Sequence, residues 1–166
     1  MIEKARIGDP PAILGLIRHY SSLELMLPRS LNSIFDSLRD FHVCRENDEV
    51  IGCAALHIAW QGLAEVRSLA VAESAQGRGI GRGLVGACLR EAREMNVERV
   101  FVLTYVPEFF APFGFQERDK DELPHKVWAD CINCPKFPDC DEFPLMRDVN
   151  ESPSGDSTQE GEGRAR

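Results

Sequence analysis

The residues best able to do chemistry lie in one stretch. Glu65-Val66-Arg67-Ser68-Leu69-Ala70-Val71 has the pattern of a strand, and Gln76-Gly77-Arg78-Gly79-Ile80-Gly81-Arg82-Gly83 follows as a glycine- and arginine-rich turn that opens a helix. The first turn of a helix carries unpaired N–H groups and the positive end of the helix dipole. Glycines lack Cβ atoms and let the backbone approach a phosphate closely. Arg78 and Arg82 add charge at the rim. In physical terms this is a pyrophosphate cradle. A glycine-rich turn that holds no ligand is the competing reading. A dinucleotide loop is another, because Gly77, Gly79 and Gly81 approach Gly-x-Gly-x-x-Gly, but residue 82 is Arg and the spacing fails.

Two other groups of residues invite chemistry. Strand alternation puts Glu65 and Arg67 on one face, where the carboxylate could act as a general base or simply pair with the guanidinium. Cys131-x-x-Cys134-x5-Cys140, with His125 six residues upstream, could hold zinc tetrahedrally. Only one Cys-x-x-Cys is present, so reduced thiols in a packed C-terminal segment compete with that reading. Cys44, Cys53 and Cys88 sit in apolar stretches and are expected to be buried thiols, while His19, His42 and His57 have the appearance of ordinary helix or strand residues.

The flanking elements must position these groups. Ile2 to Ile7 alternates like a half-buried strand. Asp9-Pro10 is an N-cap followed by proline at the first helical position, and Ile13, Leu16, Ile17 and Tyr20 follow at helical spacing. A second helix starts at Ser30. Phe41–Arg45 and Val50–Ala59 are strands joined by Glu46-Asn47-Asp48-Glu49, and Leu63–Val71 is a third. The glycine loop opens a helix through Met95, followed by a buried strand at Val100–Thr104, a helical turn near Glu108–Pro112 and a strand starting at Gly114. Beyond Asp119 the periodicity fades, although Phe143–Met146 could still pack. The order implies an α/β layered domain. Its mixed, mostly antiparallel sheet has one parallel crossover around Gly79 and helices on both sides.

With 166 residues and 43% hydrophobic composition, one globular domain over 1–149 is expected, including a C-terminal extension at 119–149. The stretch 150–166 has almost nothing apolar and is expected to be a disordered tail. The net charge of −8 argues against a nucleic-acid partner. No signal peptide or membrane span is apparent, so a cytoplasmic protein without disulfides is expected.

Gln-x-x-Gly-x-Gly after a strand ending Leu-Ala-Val resembles the coenzyme A loop of the Gcn5-related N-acetyltransferases, over roughly Ile2 to Arg118. The resemblance implies acetyl-CoA as co-substrate. It implies that backbone amides around Arg78 to Arg82, with Gln76, Gly77, Gly79, Ile80 and Gly81, hold the pyrophosphate. It also implies that Leu69, Ala70 and Val71 pair with the pantetheine arm. Four segments are similar to the acetyltransferase domain of short, stand-alone N-acetylglutamate synthases: Leu27–Ser30, Ala64–Val71, Phe101–Thr104 and Leu123–Trp128. The kinase-like domain found in the long kind is expected to be absent, and its arginine-sensing role to be missing or placed elsewhere.

On that resemblance the reaction is attack of glutamate's amino group on acetyl-CoA, the first step of arginine biosynthesis. Glu65, eleven residues before Gln76, is the expected general base, and the Leu69 N–H the oxyanion donor. Many members protonate the departing thiolate with a tyrosine four residues before Gly-Phe. Here Gly114-Phe115 is present but the matching residue is Phe110, so Tyr105 or water takes that role. Arg29 is the first candidate for a substrate carboxylate, with Arg67, Thr104 and Lys126 behind it. Another amine acceptor, or a CoA- or metal-binding module without turnover, stay open as alternatives. So does a homodimer.

Overall fold

The structure, a computed structural model, describes residues 1–123, 131, 134 and 139–151. The tail from 152 to 166 and the positions of His125 and Lys126 lie outside the described residues.

Strand β1 covers only Ile2–Lys4, because the chain turns early and leaves Ile7 77% exposed. Helix α1 (Pro10–Ser22) starts at the expected proline and buries Ile13, Leu14 and Ile17. Asp9 sits at its cap position, yet its carboxylate does not cap the helix. It accepts the Arg6 N–H at 2.7 Å and pairs with Arg45 Nη2 at 2.8 Å, which ties the start of α1 to β2. Helix α2 (Leu31–Asp36) is capped by Ser30, whose Oγ accepts the Ser33 N–H at 3.1 Å.

Strands β2 (Phe41–Glu46) and β3 (Glu49–Trp60) form a hairpin. Asn47 and Asp48 carry φ of 49° and 64°, the left-handed pair that matches the twist of a two-residue turn. Then come β4 (Leu63–Val71), α3 (Ile80–Glu94), β5 (Arg99–Thr104), the short helix α4 (Pro107–Phe110), β6 (Gln116–Glu117) and β7 (Phe143–Asp148). The sheet order is β1-β2-β3-β4-β5-β7-β6. Among the described strands only β4 and β5 run parallel, and they pair over just three positions, from Leu63↔Arg99 to Glu65↔Phe101.

One face of the sheet packs on α3 through Leu84, Val85 and Cys88, set against Ala54, Leu56, Ala64, Val66 and Val100. The other packs on α1 and α2, with Phe41, Val43, Cys53, Ala55 and Ala70. Ala64 and Val66 lie on the α3 face, but Ala70, four residues on, lies on the opposite one. A β-bulge causes the switch. The β3 register passes from Cys53↔Ala70 to Ala55↔Arg67, so Ser68 and Leu69 together oppose Ala54, and Ser68 takes φ 55°. One extra residue exchanges the faces of everything beyond it. Leu69 and Val71 therefore pack toward α3, while Glu65 and Arg67 stay on the α1/α2 side.

On the α3 face, His42 of β2 is buried and its Nε2 lies 2.7 Å from Glu91 of α3, with Lys4 on the same carboxylate. Burial pushes the imidazole below its usual 6.5, only partly offset by the Glu91 hydrogen bond, while the Lys4 and Arg90 charges lower it further. The folded state thus binds fewer protons than the unfolded chain near that pH. Its stability is fully present above about 6.5 and is lost as pH falls through 6.5 toward the lower folded value. The contribution changes by at most about 1.4 kcal/mol per pH unit. Urea midpoints between pH 7.5 and 5.5 should fall less for His42→Gln than for the parent, and equal slopes would remove His42 as the cause.

Candidate active site

The chain enters α3 through two left-handed glycines, Gly77 at φ 73° and Gly79 at φ 77°. A Cβ at either would meet nothing within 4 Å, so the conformation, and not a lack of space, calls for glycine. Gly79 is the cap residue and offers no side chain, and no acidic residue stands in the first turn. The Gly83 N–H closes on the Gly79 carbonyl at 3.0 Å. The N–H groups ahead of it face an open cradle with no side-chain cap, which fits a phosphate. Arg82 lines this end. Arg78 is turned away onto the exposed Glu46, at 2.5 and 3.1 Å, and does not line the cavity.

From the cradle a slot runs along β4. Pairing with β5 ends at Glu65↔Phe101, and from Val66 to Val71 the strand has no β5 partner. Tyr20 of α1 anchors this stretch. Its hydroxyl donates to the Val71 carbonyl and accepts from Gln76 Nε2 at 2.7 Å. Tyr20 counted only as a helix-face residue in the sequence; its hydroxyl finds these partners through the tertiary fold.

Cradle, slot and the space beyond Glu65 form one cavity of about 1240 Å³. Glu65 and Arg67 meet there at 3.8 Å, with side chains 17% and 27% exposed. Arg29 enters from the loop before α2. It lies over the Phe41 ring at 5.5 Å and is held by Ser33 O at 3.1 Å and Ser37 Oγ at 2.9 Å. These contacts leave Arg29 Nη1 buried without a hydrogen-bond partner, and Arg67 Nε is in the same state. A buried, unsatisfied donor costs about 1–3 kcal/mol. Burial, then the Arg67 charge, lowers the Arg29 pKa. Two guanidinium groups with idle donors thus converge beside one carboxylate, an arrangement that accepts an anion.

Thr104 also lines the cavity, but its Oγ1 already accepts the Val106 N–H at 3.0 Å and closes the turn after β5. Tyr105 lines the wall, and Phe110 is buried edge-on against Phe109 and Phe115. Across the cavity, Lys120 donates to the Cys140 carbonyl at 2.6 Å, bringing the C-terminal segment over the site. Cys131, Cys134 and Cys140 are half-buried on that wall. No group of three or more potential ligands is arranged to hold a metal among the described residues, and Cys140 Sγ faces Glu142 at 4.0 Å. None of the six cysteines forms a disulfide. Burial pushes the Cys53 and Cys88 thiols up to about 12, which leaves them inert.

One group went unrecognised in the sequence. His57 of β3 is the cross-strand partner of Glu65, lines the cavity, and holds Asp40 Oδ2 at 2.9 Å through Nδ1. No local pattern marks a lone strand histidine. Glu65 comes to it through β3–β4 pairing and Asp40 from the turn that leads into β2.

A sheet that splits beside an uncapped helix start can take a long phosphorylated carrier and aim its far end at the split, and this layout defines the GNAT class of acetyltransferases. The model of the acetyltransferase (GNAT) family matches residues 14–115, and the chain belongs to that family. It is 40% identical to an uncharacterized N-acetyltransferase of Chlorobaculum tepidum, over 88% of this chain and 94% of that one. It is 38% identical to an amino-acid acetyltransferase of Mycobacterium tuberculosis, over 70% and 68%. Among solved structures, N-acetylglutamate synthase of Neisseria gonorrhoeae complexed with coenzyme A and N-acetyl-glutamate superposes with a TM-score of 0.80 at 29% identity. That match covers 91% of this chain and 35% of that protein. A second solved structure, from M. tuberculosis in complex with CoA and NLQ, gives a TM-score of 0.76 at 30% identity over 88% and 97%. Among the described residues no helix is long and apolar enough to cross a membrane.

Gly79→Ala tests the cradle. A Cβ in the left-handed region costs about 1–2 kcal/mol, so the urea midpoint should drop even though the added methyl meets open space. An unchanged midpoint would show that the turn relaxes into another conformation.

Proposed function

We propose that this protein transfers the acetyl group of acetyl-CoA to the α-amino group of L-glutamate, giving N-acetylglutamate for arginine biosynthesis. The observation that carries the reading is the pair of idle buried donors, Arg29 Nη1 and Arg67 Nε, beside Glu65. A guanidinium pair of this kind matches an acceptor that brings carboxylates with its amine. The names of the M. tuberculosis and N. gonorrhoeae relatives support an amino-acid acceptor.

Acetyl-CoA, when bound, supplies an activated thioester. The protein's own contribution is position and proton handling. The N–H groups at the start of α3 hold the pyrophosphate, and the unpaired edge of Leu69–Val71 aligns the pantetheine arm. An α-amine is mostly protonated at neutral pH, and only its free base attacks. Glu65 takes that proton, directly or through water. Leu69 lies in the bulge with no β3 register partner, so its N–H serves the oxyanion. Tyr105 or water returns a proton to the sulfur.

Thiol release by purified protein with acetyl-CoA should be fastest with glutamate, and aspartate and glutamine should be poor. A clear preference for another amine overturns the assignment. Glu65→Gln should lower turnover by about 10²-fold or more; activity retained at every pH removes the base. Arg29→Ala should raise the KM for glutamate far more than that for acetyl-CoA, whereas equal rises would detach Arg29 from the substrate.

A further inference from the structure

We infer that His57, oriented by Asp40, relays to solvent the proton that Glu65 removes from the acceptor amine. The inference rests on the reading of Glu65 as base and adds a second residue to it.

Proton balance creates the need. An ammonium acceptor must lose one proton before attack. As the C–N bond forms and the C–S bond breaks, the nitrogen loses a second. One of the two ends on the departing sulfur, giving the free thiol, and the other leaves the enzyme. A single carboxylate that handles both must discharge the first before it takes the second. Imidazole is the side chain best suited to accept and release a proton near neutrality.

The geometry supplies the route. His57 and Glu65 are register partners on β3 and β4, on the sheet face that opens into the cavity. Directly opposed side chains on antiparallel strands stand about 4.5–5.5 Å apart at Cβ. His57 Nδ1 lies 2.9 Å from Asp40 Oδ2, and an ionised carboxylate only accepts, so Nδ1 carries the proton and Nε2 is left as the acceptor. Asp40 thus fixes the tautomer and is a positioning residue. The dyad is not sealed off: the His57 and Asp40 side chains are 33% and 25% exposed, which gives the proton an exit. The other charged groups facing this side of the cavity are Arg29 and Arg67, with Lys120 and Glu142 on the far wall. None of the four is a neutral acceptor near pH 7 in the way imidazole is.

The test compares parent, His57→Gln, His57→Ala, Asp40→Asn and Glu65→Gln in the full chain, from pH 6.5 to 9.5, with added imidazole as a further arm. His57→Gln should lower kcat by about 10-fold or more at pH 7, and the defect should shrink toward pH 9.5, where more of the amine is already neutral. Imidazole should restore part of the His57→Ala rate, and Asp40→Asn should give a smaller loss with the same pH trend. KM values for both substrates should stay within about twofold, since neither residue grips a substrate carboxylate. A kcat loss equal at all pH values, or absent, or untouched by imidazole, overturns the relay and returns the dyad to a structural role. Should His57→Ala fail to fold, His57→Gln and Asp40→Asn decide by the same pH trend. Glu65→Gln separates the two readings: if it stays active the base assignment fails, and if it is dead while the His57 variants show no pH trend, only the relay fails.

Discussion

The site depends on a single inserted residue in β4. Ser68 takes a left-handed conformation that serine disfavours, and in doing so it exchanges the two faces of the strand. Upstream, Glu65 and Arg67 look toward α1, α2 and the loop that delivers Arg29. Downstream, Leu69 and Val71 look toward α3 and its uncapped start. An unbulged strand would have to choose one side for both sets. The strain stored at Ser68 is held by the surroundings: Cys53 Sγ reaches the Ser68 carbonyl at 3.4 Å, and register pairs resume at Ala70 and Arg67 on either side.

The second constraint is the early end of β4–β5 pairing. A parallel pair that continued past Glu65 would satisfy the edge of Val66–Val71 and fill the slot. On its other edge β5 pairs with β7, with all six of its residues in register. Arg99–Phe101 are thus paired on both edges and Val102–Thr104 on the β7 edge alone, and the vacated β4 edge becomes the groove. Tyr20 matters here because it secures the far end of that edge through the Val71 carbonyl without covering it.

Much of this was legible in the residues. The hairpin, the strand before the glycine loop and the helix after it follow from alternation, turn residues and helical spacing, and they recur within a residue or two. Glycine, being the residue that takes positive φ freely, announces Gly77 and Gly79 as a special turn. Ser68 gives no such signal, so the bulge was invisible, and with it the reason that Glu65 and Leu69 serve different faces. β7 was missed because Pro144 speaks against an internal strand and Pro144 through Arg147 are buried without alternation. The pairing of β7 with β5 and β6 is nonlocal. Asp9 shows the converse failure: a correct cap position whose side chain is claimed by Arg45, a partner 36 residues away.

The replacement of the usual tyrosine by Phe110 has a physical consequence for the proposed chemistry. Phe109, Phe110, Phe113 and Phe115 form a run of ring contacts, and a Cβ on Gly81 would stand 3.3 Å from the Phe109 ring. An apolar wall therefore lies between the head of α3 and the cavity that Phe109 and Phe110 line. A phenol at position 110 would need a hydrogen-bond partner within that cluster, and phenylalanine removes the need. A thiolate is a tolerable leaving group because thiols are far more acidic than alcohols. The demanding proton step is then the deprotonation of the amine rather than the protonation of sulfur, and the titratable side chains gather at the amine end, around Glu65, Asp40 and His57.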